Sequence, residues 1–257
     1  MLLCLDIGNS QLHGGVFDGD VLRCQFRKTT QPLGSSDEFG VFFLAVLREN
    51  GVEPRAIRRV AICSVVPAAL YPIRGACLKY FQAEPFLLQA GVKTGLKVRY
   101  RNPLEVGADR IAGAIAATLR RPGADVIVVD CGTATTFDVV NAAGEYLGGA
   151  IMPGIGISVE SLAGRTAKLP SVEITRPSAA LGRSTVESIQ AGVYHGHVGA
   201  IRHLLGELAR EAFAGERPRV VGTGGFARLM LAENLFDEIV PELVLLGLKR
   251  AEQLNRE

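Results

Sequence analysis

Two stretches decide the fold of this chain: VIVVDCGTATT at residues 126–136 and LLCLDIGNS at residues 2–10. Each is a short apolar run that ends in Asp-x-Gly, and Asp130 and Gly132 lie 124 residues after Asp6 and Gly8. Short apolar runs bounded by glycine turns predict buried strands. Two further predicted strands and then helices follow each copy. The pattern therefore predicts an α/β protein built from two similar halves.

The first half carries clear strand and helix signals. Asp18-Gly19-Asp20 separates two short apolar runs, which predicts a β-hairpin. Ser35 followed by Glu38 is a capping-box pattern, and it predicts a helix that Gly51 ends. We predict strands over 2–5, 14–17, 21–26, 60–66 and 85–89, helices over 39–50, 71–81 and 108–120, and irregular structure over 90–106.

The second half repeats the three strands and ends in helices. We predict strands over 126–129, 137–140, 146–151 and 220–221, two helices between the last two of these, and a closing helix over 243–253. The longer helix begins at Ser184, with Glu187 completing a second capping box. Its apolar residues mostly step by three, four or seven, which predicts one buried face: Val186, Ile189, Val193, Ala200, Ile201, Leu204, Leu208 and Phe213. Tyr194, His195 and Leu205 lie off that face, and we expect a second packing surface there.

The chain has no low-complexity linker between the two repeats. We therefore expect halves at 1–120 and 121–257 that share one interface rather than swing on a tether.

Composition excludes several classes of protein. The net charge of +2, from 28 basic and 26 acidic residues, lacks the basic field that nucleic acids and membrane surfaces attract. The longest apolar run, residues 41–47, is far short of the roughly 20 residues of a spanning helix. Five scattered cysteines and no secretory signal are typical of a cytoplasmic protein with reduced thiols. His195 and His197 are two apart on a predicted helix, so we expect no structural zinc.

The two Asp-x-Gly hairpins have the chemistry of phosphate loops. A glycine-rich tip exposes backbone N–H groups that hold phosphate oxygens, and an aspartate at the strand end suits hydrated Mg²⁺. Three threonines at residues 133, 135 and 136 add hydroxyl groups to the second loop. Neither loop has the P-loop or dinucleotide pattern. From the residues alone, each loop could also be a simple turn.

Together with other motifs, these loops resemble the type III pantothenate kinases, within the superfamily of acetate and sugar kinases, Hsp-type ATPases and actin. The motifs are DIGNS at 6–10, YRNP at 100–103, GADR at 107–110, DCGTATT at 130–136, GGAIMPG at 148–154, TAKLP at 166–170, GRST at 182–185 and GTGG at 222–225. The resemblance implies duplicated ribonuclease-H-like, actin-like halves, each a mixed sheet flanked by helices, with an active-site cleft between them.

The resemblance implies ATP-dependent phosphorylation of the primary hydroxyl of pantothenate to 4'-phosphopantothenate, the first step toward coenzyme A. Asp109 is then the general base. The residues alone leave other roles open: a first-turn helix carboxylate for Asp109, an ion pair with Glu105 for Arg110 and an amphipathic core position for Tyr100. A sugar or acetate kinase, and a catalytically weak nucleotide-sensing regulator, are the competing functions.

The remaining implied roles concern ligands and assembly. The resemblance implies ATP binding by Asp6, Ile7, Gly8, Asn9, Ser10, Gln11, Leu12, His13 and Thr133. It implies pantothenate binding by Tyr100, Gly107, Ala108, Asp109, Arg110 and Thr185. Asp6 would support the water shell of Mg²⁺ bound to ATP, and Asp130 would hold K⁺ or NH₄⁺, with a second Mg²⁺-shell role as the alternative. A homodimer is expected, and phosphate contacts by His13, Arg165 and Lys168 stay open.

Overall fold

The computed structural model describes residues 1–256, which form two compact units. One unit comprises Met1–Leu96, Arg101–Ala116 and the chain from Leu243, and the other comprises Lys97–Tyr100 and Ala117–Glu242. This division differs from the expected halves at three segments. Residues 97–100 and 117–120 belong with the second unit, and the C-terminal helix belongs with the first.

The first unit is built on a five-stranded mixed sheet. Its strands are β1 (Leu2–Ile7), β2 (Gln11–Asp18), β3 (Val21–Thr29), β4 (Arg59–Ser64) and β5 (Phe86–Leu87), in the order β3-β2-β1-β4-β5. β1 runs antiparallel to β2 and parallel to β4. The helices are α1 (Ser36–Glu49), α2 (Pro67–Ala76), which a π-helical turn at Cys77–Phe81 extends, and α3 (Ala108–Arg120). The capping box of Ser35 and Glu38 is confirmed, because each side chain accepts the other residue's backbone N–H.

The second unit repeats this topology. Its strands are β6 (Lys97–Val98), β7 (Val126–Cys131), β8 (Ala134–Val140), β9 (Glu145–Pro153), β10 (Arg219–Thr223) and β11 (Glu238–Ile239), in the order β11-β10-β7-β8-β9-β6. The run β9-β8-β7-β10-β11 matches β3-β2-β1-β4-β5 strand for strand, so the duplication is confirmed. β6 pairs with β9, which explains why residues 97–100 belong to this unit. Its further helices are α4 (Ile155–Arg165) and α5 (Thr185–Ala212).

The C-terminal helix α6 (Leu243–Leu254) packs against β1 and β4. A Cβ on Gly247 would lie 1.7 Å from the carbonyl oxygen of Ala112, so only glycine lets α6 approach α3 this closely. The Lys249 ammonium contacts the Asp20 carboxylate at 2.6 Å, in the turn between β2 and β3. These contacts hold α6 against the first unit. Because Lys249 and Asp20 are 229 residues apart in sequence, no local sequence pattern predicts their contact.

Helix α5 buries Ile189 and Ile201 of the face that its apolar pattern predicts, but its buried face also includes Tyr194 and His197. Tyr194 is 1% exposed and donates its hydroxyl to Glu233, whereas Val186 is 43% exposed. The prediction that Tyr194 lies off the buried face is therefore wrong, because a hydrogen-bonded tyrosine packs in a core as well as an aliphatic residue does. The second capping box is half right: Ser184 accepts the Glu187 N–H, but the Glu187 carboxylate accepts the N–H of Arg183 instead.

Two findings concern the predictions of reduced cysteines and of no membrane-spanning segment. All five cysteines are free thiols, and four of them are buried. Within residues 1–256, no helix is long and apolar enough to cross a membrane. The cytoplasmic location stays a prediction.

Candidate active site

The first Asp-x-Gly loop connects β1 to β2 and is tied down by hydrogen bonds. Gly8 donates its N–H to the carbonyl of Gln11 at 3.0 Å. Thr30, which directly follows β3, donates its hydroxyl to the Gly8 carbonyl at 2.7 Å and its N–H to the Ser10 carbonyl at 3.0 Å. The loop is therefore an ordered part of the sheet edge, and Thr30 is a residue that the sequence analysis missed.

Asp6 stands at the end of β1, where β1 and β4 run side by side. The Cys63 thiol donates to the Asp6 carboxylate at an Sγ–Oδ1 distance of 3.3 Å. Burial raises the pKa of Cys63 well above its usual value, and the Asp6 and Asp109 carboxylates raise it further. The thiol therefore stays protonated and donates. Asp6 and Asp109 both lie in the first unit, and the charge of each raises the pKa of this buried thiol.

Asp109 occupies the first turn of α3, as the sequence predicts. Its carboxylate accepts the N–H of Arg110 at 2.8 Å. Burial raises the pKa of Asp109, and the bond from Arg110 opposes this only in part. A Cβ on Gly107 would lie 2.5 Å from the Asp109 carboxylate and 3.5 Å from the Val65 side chain, so the absence of a side chain at position 107 makes room for the carboxylate. A half-buried carboxylate with a raised pKa is typical of a general base.

The other residues of the first loop divide into core and surface. Ile7 and Leu12 are in the hydrophobic core, so only their backbone could face a ligand. His13 lies opposite Asp6 in the sheet register and is buried, with its Nε2 3.1 Å from the Gln25 amide oxygen. Burial first, and then the charge of Arg27, lowers the pKa of His13 to about 4. The imidazole is therefore neutral near pH 7 and does not supply a positive charge to phosphate.

The second loop connects β7 to β8, and two glycines from other parts of the chain, Gly154 and Gly224, lie close to it. A Cβ on Gly224, whose φ is +85°, would lie 2.3 Å from the Asp130 carboxylate. A Cβ on Gly154 would lie 2.3 Å from the Thr133 carbonyl and 2.6 Å from that of Gly132. The glycines of two separate motifs thus let backbone approach Asp130 and the loop carbonyls where a side chain would clash. Thr133 itself is exposed.

Thr135 departs from the prediction that the threonines form a polar loop surface. It is 1% exposed, and its hydroxyl lies 3.0 Å from Nε2 of His197, which is also buried. Burial lowers the pKa of His197. Thr135 therefore anchors the base of the loop to α5 and is unavailable as a ligand on the loop surface. The prediction that Thr135 adds its hydroxyl to the loop is corrected, because alternation along β8 turns its side chain inward.

Tyr100 lies against a rigid support in the second unit. Its ring centroid is 6.3 Å from that of Tyr146, and a Cβ on Gly148 would lie 3.6 Å from it. Tyr146 is fully buried and donates its hydroxyl to the buried carboxylate of Asp138 at 2.7 Å. Asp138 is an acidic residue in the otherwise apolar second half of β8. Its position in the sequence alone could have indicated that its carboxylate has a buried hydrogen-bond partner.

The remaining predicted positions are exposed. Thr185 is the first residue of α5, directly after its N-cap Ser184. Arg165 and Lys168 are exposed, and no contact of either supports a role. The structure thus places Asp6, the first loop, Asp109 and Arg110 in the first unit, and Tyr100, Asp130, Thr133 and Thr185 in the second.

Comparison with solved structures identifies the fold. A Baf family protein from Campylobacter jejuni matches with a TM-score of 0.62 at 20% identity, over 99% of this chain and 98% of that one. A Sinorhizobium meliloti protein described as a 2-dehydro-3-deoxygalactonokinase matches with a TM-score of 0.58 at 14% identity, over 98% of each chain. The two matched sheets with their glycine loops therefore have the fold of the sugar kinases and actin-like ATPases.

Sequence comparison then gives the particular family. The family model for type III pantothenate kinase matches residues 2–207. A type III pantothenate kinase from Legionella pneumophila (strain Corby) is 54% identical over 255 residues, and one from Elusimicrobium minutum is 44% identical over 256, each match covering at least 99% of both chains. The chain belongs to the type III pantothenate kinase family.

Proposed function

We propose that this protein transfers the γ-phosphoryl group of ATP to the primary hydroxyl of pantothenate, giving 4'-phosphopantothenate for coenzyme A synthesis. The observation that carries the proposal is the full-length relation to enzymes named for this activity. The structure adds the half-buried carboxylate of Asp109 and two glycine loops of the kind that phosphoryl transfer needs.

Asp109 is the general base of this reaction. It accepts the proton of the pantothenate hydroxyl as the oxygen attacks phosphorus, and ADP leaves with the electrons of the broken P–O bond. Two observations support the role. The Arg110 N–H fixes one carboxylate oxygen at 2.8 Å, and burial raises the pKa, which makes the carboxylate more basic. Arg110, Gly107 and Ala108 would line the pantothenate side of this helix start.

The first loop would bind the ATP phosphates through its backbone at Gly8–Gln11 and through the Ser10 hydroxyl. Ile7, Leu12 and His13 contribute by holding the loop in the sheet rather than by charge, since two are in the core and His13 is neutral. Asp6 suits hydrated Mg²⁺, because a carboxylate at the strand end offers hard oxygen ligands. When bound, Mg²⁺ neutralises phosphate charge.

Asp130 would hold a monovalent cation beside the second loop. The carboxylate, the nearby backbone carbonyls and the exposed Thr133 hydroxyl are oxygen donors, which fit K⁺ or NH₄⁺. Such an ion would offset phosphate charge at a fixed position. Gly132 and Gly224 let the backbone lie close to the Asp130 carboxylate, since a Cβ on Gly132 would lie 3.2 Å from it and a Cβ on Gly224 2.3 Å from it. A second Mg²⁺-shell role for Asp130 is the alternative that cation dependence tests.

Tyr100 and Thr185 would complete the pantothenate site. The tyrosine ring is held by Tyr146 and Gly148, so it can present one face and its hydroxyl in a fixed orientation. Thr185 begins a 28-residue helix, whose N-terminal dipole favours an anion such as the pantothenate carboxylate.

The homodimer is proposed from the family resemblance, and α5 supports it. Gly192, Gly196, Gly199 and Gly206 are exposed on this helix, and a Cβ on any of them would meet open space. Four helix-interior glycines cost about 3–4 kcal/mol relative to alanine. These four glycines would let α5 of a second copy pack closely against them, in an interface that uses the same surface of both copies. The packing would offset the cost of the glycines.

The test is ADP formation with MgATP in the presence and absence of pantothenate, with the phosphorylated product identified by mass spectrometry. We expect ADP release that depends on pantothenate and exceeds the release seen with acetate or a panel of sugars. Binding of ATP without pantothenate-dependent turnover would instead support a nucleotide-sensing regulator. Turnover with a sugar or acetate alone would support the other kinase activity.

A further inference from the structure

Thr30 makes two hydrogen bonds to the first loop from outside it. Its hydroxyl donates to the Gly8 carbonyl at 2.7 Å, and its N–H donates to the Ser10 carbonyl at 3.0 Å. The residue is 2% exposed and directly follows the edge strand β3. A buried threonine is therefore the link between β3 and the loop that joins β1 to β2.

These two bonds determine where the loop N–H groups point. A trans peptide is planar, and its C=O and N–H lie in opposite directions. Because the Gly8 and Ser10 carbonyls point at Thr30, the N–H groups of the next residues, Asn9 and Gln11, point away from it. The N–H groups of Asn9 and Gln11, which have Ser10 between them, then face the same side of the loop.

The loop has no positive side chain of its own. Residues 6–13 contain no lysine or arginine, and the pKa of His13 is lowered to about 4, chiefly by burial, so its imidazole is neutral near pH 7. The residues of the loop itself therefore attract phosphate oxygens through oriented N–H dipoles. The positive charge beside the loop is on Arg27 of β3, whose guanidinium donates to the Gln11 amide oxygen at 3.5 Å. N–H donors that are already oriented in the free protein bind phosphate more tightly, because binding then does not cost the free energy of ordering the loop.

We propose that Thr30 is a positioning residue for MgATP: its hydroxyl fixes the Gly8 carbonyl and thereby aims the loop N–H groups at the phosphates. The inference rests on the proposed kinase function. It assigns Thr30 no contact with substrate. It predicts a defect in nucleotide binding, because the Thr30 hydroxyl donates to the first loop.

The test compares Thr30→Val with Thr30→Ser. Valine has the shape of threonine and keeps the backbone N–H bond to Ser10, but it removes the hydroxyl donor, whereas serine keeps the donor. We expect the valine variant to raise the Kd and KM for MgATP roughly tenfold, equivalent to about 1.4 kcal/mol, the typical contribution of one such bond. The serine variant should bind MgATP within about twofold of the parent, and the KM for pantothenate should change little in both.

A matched control removes a similar bond elsewhere in the same unit. The Thr94 hydroxyl donates to the Leu96 carbonyl at 3.4 Å, and Thr94→Val should leave MgATP binding unchanged. Calorimetric titration with MgATP and with MgADP gives Kd without turnover, and thermal unfolding reports stability.

Three outcomes would overturn the inference. The first is parent-like MgATP affinity in Thr30→Val. The second is an equal rise of both KM values together with a fall in Tm, which would mark a merely structural role. The third is failure of serine to restore affinity. If the parent binds MgATP but does not phosphorylate pantothenate, only the proposed function fails, and the affinity comparison still decides the role of Thr30.

Discussion

Replacing Asp109 with asparagine tests the proposed base with little disturbance of the fold. Asparagine has nearly the size of aspartate, and its amide oxygen can still accept the Arg110 N–H that now lies 2.8 Å from the carboxylate. What is lost is a negative oxygen that can take a proton. Loss of a general base typically lowers the rate about 10²–10⁴-fold, which at 1.36 kcal/mol per decade is about 2.7–5.4 kcal/mol of transition-state stabilisation.

Stability should move in the opposite direction from activity. Burial raises the pKa of Asp109 in the folded protein, so its contribution to stability is full at low pH and is lost as pH rises through that raised value. Asparagine does not titrate. The Tm of Asp109→Asn relative to the parent should therefore increase as the pH is raised from about 4 toward neutrality. The parent kcat/KM should fall on the acid side, below the raised pKa of Asp109.

The assay is direct chromatographic measurement of ADP, with Tm followed from pH 4 to pH 8. Glu105→Gln is the matched control, since it removes an exposed carboxylate just before α3 and should keep the parent rate. Turnover by purified Asp109→Asn close to that of the parent would refute the assignment. If the Tm of Asp109→Asn relative to the parent instead falls as the pH rises from 4 to neutrality, the argument from burial is refuted.

Three further predictions concern the second unit. Gly132→Val places a side chain whose Cβ lies 3.2 Å from the Asp130 carboxylate, and we expect at least a tenfold loss of MgATP affinity by calorimetry; normal affinity would exclude this loop as a phosphate site. Activity should be low in Na⁺, recover with K⁺ or NH₄⁺ and lose that response in Asp130→Ala; equal rates in Na⁺ and K⁺ at matched ionic strength would contradict the cation site. Gly196→Leu should convert a dimer to a monomer in sedimentation experiments; an unchanged mass, or a fully active monomeric parent, would contradict the proposed interface. Gly164→Val, in open space on α4, is the control for both glycine variants.

Much of the fold is predictable because its signals are local. The capping box at Ser35, the Asp18-Gly19 hairpin and the repeated apolar runs before Asp6 and Asp130 each depend on neighbours in sequence, and the structure confirms each of them. Helix α3 runs from Ala108 to Arg120 as its composition predicts. The expected division of the chain did not anticipate the packing of α6, because a C-terminal helix chooses its sheet through contacts such as Gly247 with Ala112.

Sequence by itself determined the repeat, the two loops, the family and the residues at which chemistry is expected, since these are carried by residue types at fixed spacing. Tertiary structure alone decided which side chains support them. Thr30 holds the first loop, Cys63 donates to Asp6, and His197 forms a hydrogen bond with Thr135. Each partner is 22 to 62 residues away in the chain. A hydrogen bond between residues so far apart in sequence depends on strand pairing and helix packing. Local residue patterns do not specify these, because they depend on the complete fold.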